Sequence, residues 1–68
     1  MTYVIGINTK RFHYDVEYKN QNDAMSMFYI YEEKLNRRQS IILDIDGGYT
    51  LINADNIVDI NVKKKEAR

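Results

Sequence analysis

AMSMFYIYEE, residues 24 to 33, is the stretch on which the fold turns. As extended chain, Met27 to Tyr31 would make a strand, because Phe, Tyr and Ile all fit a pleated surface. As a helix, the same residues would lay one stripe of side chains on whatever they cover. The flanks decide between the two. NQND (20–23) sets Asn20 three positions before Asp23, so that a side chain caps free amides and an acid sits at the positive end of the helix dipole. No Gly or Pro follows for the length of a helix, and KLNRR (34–38) brings Lys34, Arg37 and Arg38 to the negative end. The spacing predicts a helix over about 21–36.

A step of about 100° per residue puts Ala24, Met27, Phe28, Tyr31 and Leu35 on one stripe, the side that faces a sheet. Met25 and Tyr29 fall on the far side beside Glu32 and Asn36, and Ile30 on a flank near Ser26. One covered stripe cannot hold them all. Tyrosine and methionine are enriched where interfaces are buried, so Met25, Tyr29 and Ile30 form the candidate protein interface, for a second copy or another protein. The competing reading has Tyr29 snorkel and Met25 cover a sheet edge.

Size makes the interface reading matter. A single domain of 68 residues yields only about 3–5 kcal/mol unless it is stapled by a disulfide, a metal or another chain. Cysteine is absent, which excludes disulfides and thiolate metal sites and implies a cytoplasmic location. Oligomerisation is the staple that remains, and a homodimer is the expected state. No apolar run approaches the roughly 20 residues that cross a bilayer, and MTYVIGINTK lacks the layout of a secretory signal, so no membrane role is expected. Ten basic and ten acidic residues balance, which argues against a surface built throughout to hold phosphates.

The flanking segments read as strands. YVIGI (3–7) places Tyr3, Ile5 and Ile7 on one face, with Gly6 a point of close approach. After a turn at Asn8 to Lys10, FHYDVEYK (12–19) alternates: Phe12, Tyr14, Val16 and Tyr18 point one way, Arg11, His13, Asp15, Glu17 and Lys19 the other. The two segments make an antiparallel hairpin. IILDI (41–45) and YTLIN (49–53) flank Asp46-Gly47-Gly48, a second hairpin signal. Its register has two readings: a Gly47-Gly48 loop pairs Leu43 with Ile52, whereas a three-residue loop pairs Leu43 with Leu51 and Ile45 with Tyr49. The polar NADN (53–56) leads to a last strand, IVDINV (57–62), and residues 63–68 read as a frayed basic tail. The expected architecture is α+β: an antiparallel sheet of about five strands in the order β-β-α-β-β-β, with one helix packed across it.

Little in the chain points to chemistry. His13 is the only histidine, and no nucleophile or second base accompanies it. Asp44 and Asp46 share the D-x-D-G opening of a calcium loop but lack its later ligands and its flanking helices, so neither a metal site nor another cofactor is expected. Asp46 instead shapes the turn. Phosphate loops, nucleophile elbows and paired metal histidines are absent, and the chain reads as a non-enzyme. Nucleic-acid binding is the alternative function. Lys10, Arg11 and His13 with Arg37 and Arg38 are its candidate residues, joined by Lys34, Lys63, Lys64, Lys65 and Arg68 if the fold brings them together. Strand alternation argues against it by turning Phe12 and Tyr14 away from the basic side chains and into the core.

GGYTLINADNIVDINV (47–62) resembles the ending of many short, uncharacterised proteins of Gram-positive bacteria and their phages and plasmids, in which a glycine turn leads to a strand and then to the pattern Ile52-Asn53-x-x-Asn56-Ile57-x-x-Ile60. The resemblance covers the C-terminal third. It implies an accessory protein of a mobile element that binds, and regulates or blocks, a host protein; it assigns no functional residue. Taken together, the sequence leads to a self-associating, protein-binding or regulatory module.

Overall fold

In the computed structural model, which describes residues 2–45 and 47–66, the helix α1 spans Gln21–Asn36, as the spacing predicts. Asn20 caps it: the Asp23 backbone N–H donates to Asn20 Oδ1 at 2.9 Å, and Asn20 Nδ2 donates to Asp23 Oδ2 at 3.0 Å. At the other end Arg38 takes the left-handed conformation (φ 57°), while its N–H reaches the Leu35 carbonyl and the Gln39 N–H reaches that of Lys34. This pair of bonds satisfies the last carbonyls and turns the chain out of the helix.

The five strands are β1 (Thr2–Thr9), β2 (His13–Tyr18), β3 (Ile41–Ile45), β4 (Gly48–Ile52) and β5 (Ile57–Lys65). All pair antiparallel, which gives the α+β class and the expected order. They divide, however, into a three-stranded sheet ordered β2-β1-β5 and a separate two-stranded ribbon β3-β4, where a single sheet was the expectation. Ala24 and Tyr31 of α1 are buried, with Met27 and Phe28 packed partly against the core. That core consists of Ile5, Ile7, Tyr31, Ile41, Leu43 and Ile52, so helix and ribbon share one face of the three-stranded sheet. Because the ribbon lies on that face, its strands do not extend the ladder.

Cross-strand pairs fix the two faces of the larger sheet. Ile5 lies opposite Val16 and Val62, and Ile7 opposite Tyr14 and Ile60, all turned to the core. Gly6, by contrast, lies opposite Asp15 and Asn61 on the outer face, where an added Cβ would stand 3.0 Å from Asn61 Oδ1. Glycine is used there to let polar side chains close over the strand. Val4 shares the outer face yet is buried. Glu17 faces it across the strand pair, and the 3.2 Å bridge from Lys65 Nζ to Glu17 Oε1 spans β1, so charged side chains lay their aliphatic stems over it.

Two expectations need correction here. Lys63, Lys64 and Lys65 are not a frayed tail: they continue β5, with Lys63 opposite Val4 and Lys65 opposite Thr2. The long partner β1 supplies backbone hydrogen bonds that a terminus would otherwise lack. Arg68 lies outside the described residues. The ribbon register is a third alternative: Ile41 pairs with Ile52, Leu43 with Thr50 and Ile45 with Gly48. Gly48 is therefore a strand residue, and of these two glycines Gly47 takes a positive φ, 76°. The turn-shaping role expected of Asp46 falls outside the described residues.

Burial raises the Tyr18 phenol well above the ordinary tyrosine range, and a hydrogen bond with Tyr31 adds to the effect. The folded chain thus favours the neutral phenol. Its contribution to stability is fully present below the unfolded value of about 10 and fades as pH rises above it. Melting temperatures followed through this range should fall less steeply for Tyr18→Phe than for the native protein. Equal slopes would show that the buried phenol does not couple to folding.

Candidate binding surfaces

The ribbon register decides what the domain presents to solvent. With Ile41, Leu43 and Ile52 committed to the core, the pairs Ile42–Leu51 and Asp44–Tyr49 point outward. Ile42 is 58%, Leu51 68% and Tyr49 80% exposed. Three large apolar side chains thus share one face of a two-stranded ribbon, with Asp44 the charged group among these paired residues. Sequence reading missed this face. In IILDI, successive apolar residues fill both sides of the strand, and only the register tells them apart. The signal that could have found it was Asp46-Gly47, the preferred pair for a two-residue hairpin loop, obscured by the glycine that follows.

The sequence-derived interface lies on the outward side of α1. Tyr29 is 59% and Ile30 45% exposed, whereas Met25 is half-buried. Phe28 braces Tyr29 through an edge-on contact, ring centroids 6.2 Å apart. Glu32 and Glu33, both exposed, flank the pair, and Glu33 Oε1 bonds Arg37 Nη2 at 2.8 Å. The helix face is therefore apolar, bordered by Glu32 and by the Glu33–Arg37 ion pair.

Of the five basic candidates, Lys10 and Arg11 line one cleft, and His13, Arg37 and Arg38 are engaged elsewhere. Arg37 is engaged by Glu33, and Arg38 forms the helix exit. His13 is held on the outer face of the larger sheet by a relay across its three strands: Asn8 Nδ2 donates to Asp59 Oδ1 at 2.6 Å, Asn8 Oδ1 lies 2.5 Å from His13 Nδ1, and His13 Nε2 lies 2.7 Å from Asp15 Oδ1. Both ring nitrogens are taken up by these contacts within the sheet, so the imidazole is not presented to a phosphate.

Lys10 and Arg11 are placed differently. The Thr9 and Phe12 backbones close a turn, with Thr9 N–H donating to the Phe12 carbonyl and Phe12 N–H to Thr9 Oγ1, each at 2.8 Å. Lys10 N–H donates to the Asn56 carbonyl at 3.0 Å and ties the turn to the 3-10 turn Ala54–Asn56. This turn takes Phe12 out of the expected alternation, which holds from His13 onward: Tyr14, Val16 and Tyr18 pack against the core and His13, Asp15 and Glu17 are exposed. Phe12 leaves the ladder before β2 begins and, instead of entering the core, is 63% exposed. Between the two turns opens a cleft of about 470 Å³, with Lys10, Arg11 and Phe12 on one wall and Leu51, Asn53 and Asn56 on the other.

Among the described residues no cluster of three or more His, Asp or Glu side chains is placed to hold a metal ion. No helix among them is long and apolar enough to cross a membrane. The chain matches no protein-family model, no curated protein and no solved structure.

Proposed function

We propose that this protein is a non-enzymatic binding module that associates with a second copy of itself through the outer face of the β3-β4 ribbon and with a different protein through the helix face around Met25, Tyr29 and Ile30. The supporting observation is the exposure of Ile42, Tyr49 and Leu51 on a ribbon whose other side is already used by the core. A two-stranded ribbon is marginal by itself, and covering its second face would stabilise it.

A two-fold contact sets each patch against its own copy, so like charges are brought together. Among the described residues each face has one unpaired carboxylate, Asp44 on the ribbon and Glu32 on the helix, where Glu33 is already bridged to Arg37, so the ribbon's three exposed apolar side chains, rather than charge, single it out for the two-fold contact. Fully burying an exposed side chain of this size contributes about 1.5–3 kcal/mol. Three from each copy give a sum comparable with the roughly 4–15 kcal/mol cost of association, so the dimer should be concentration-dependent rather than permanent. The accessory role implied by the C-terminal resemblance fits a small module of this kind.

Sedimentation equilibrium across micromolar to millimolar concentrations tests the first half of the proposal. The apparent mass should rise toward twice the 8.1 kDa of one chain. A mass that stays at the single-chain value throughout would end the reading.

A further inference from the structure

We propose that the cleft beside the Thr9–Phe12 turn binds a nucleotide unit, an aromatic base together with its phosphate. The inference does not rest on self-association: its cations, ring and amides belong to other residues, and only Leu51, on the cleft wall, is shared with the ribbon's outer face. Lys10 and Arg11 form no ion pair among the described residues, whereas the acids of the outer sheet face are matched with His13, Asn8 and Lys65. Two neighbouring cations without counter-ions, at the mouth of a cleft, attract a phosphate.

The ring points to what else the ligand carries. Phe12 is exposed on a turn whose backbone is pinned at both ends, with Tyr14 leaning against it at 6.3 Å between centroids and 51° between planes. A phenyl ring held open beside cations is a stacking platform for a base. On the facing wall, Asn53 Oδ1 accepts the Asp55 N–H, but Asn53 Nδ2 and the Asn56 side chain have no partner among the described residues. Amide groups of this kind bond to base edges. A volume of about 470 Å³ lies within the range of small-ligand sites. An acidic peptide would engage the cations but would leave the ring and amides without a role, so the nucleotide is the better match.

The test is titration of the full ¹⁵N-labelled chain with the oligonucleotide dT6, with AMP and with hexaglutamate, followed by amide shifts at low salt. With dT6 or AMP the shifts should concentrate at residues 9–12 and 51–56. A response to both identifies a free nucleotide as a sufficient ligand, and a response to dT6 alone identifies a strand; either supports the site. With dT6, neutralising the one phosphate at the site should give a salt slope of about −0.7, and Lys10→Gln should weaken binding and flatten that slope. Phe12→Ala, at an exposed position, should weaken binding about tenfold with the sedimentation mass unchanged. No shift with dT6 and AMP, shifts centred elsewhere, or a hexaglutamate response that survives Phe12→Ala would overturn the proposal. Failure here leaves the ribbon-face dimer untouched, and a monomeric protein that still binds dT6 leaves this site standing.

Discussion

Leu43→Ala is expected to abolish cooperative folding. Leu43 is fully buried on the inner face of the ribbon, where it joins β3 to the sheet and helix. Truncating a buried leucine costs about 2–5 kcal/mol, the lost transfer energy plus the cavity left behind. A domain of this size has about 3–5 kcal/mol to lose. Ile42→Ala, one position away on the opposite face, should cost no more than about 0.5 kcal/mol when measured at low protein concentration, where self-association does not contribute. Urea denaturation followed by circular dichroism separates the two variants. Equal losses would mean that the ribbon does not hold the register in which Leu43 faces Thr50.

The second large effect belongs to the ribbon's outer face. Changing Tyr49 and Leu51 together to lysine puts two positive charges per copy at the proposed two-fold contact and removes two of its three large apolar groups. Interface energy concentrates in a few such residues, and like charges across a contact oppose it, so the dimer should weaken by at least about 100-fold. Both positions are exposed in the single chain, so the fold should survive, with a melting temperature at low concentration close to the native value. Sedimentation of the variant provides the readout. Undiminished association would move the contact elsewhere, first to Tyr29 and Ile30.

Where local chemistry determined structure, the sequence was a good guide. The helix could be read because Asn20, Asp23 and the basic exit acted within one turn of its ends, and the stripe Ala24-Met27-Phe28-Tyr31 faces the core as its spacing predicts. The outward position of Tyr29 and Ile30 follows from the same periodicity. Where a choice of one residue exchanged two faces, sequence alone was not enough. In IILDI, apolar residues on both sides of the strand concealed which of Ile42 and Leu43 would be covered, and the extra glycine after Asp46-Gly47 suggested a later loop. Phe12 belonged by pattern to the alternating strand but by structure to a turn closed by the Thr9 hydroxyl, a local hydrogen bond that periodicity does not register. The lysines 63–65 looked like a solvated end because their ladder partner, β1, lies at the other end of the chain.

The central claim is that the ribbon's outer face is covered by a second copy, and an isotope-filtered nuclear Overhauser experiment on mixed labelled and unlabelled chains tests it most directly. At concentrations where the mass exceeds that of one chain, the Tyr49 ring should show intermolecular cross-peaks to Ile42 and Leu51 methyl groups. An associated sample in which those three residues give only intramolecular peaks, or one with no intermolecular peaks at all, would contradict it.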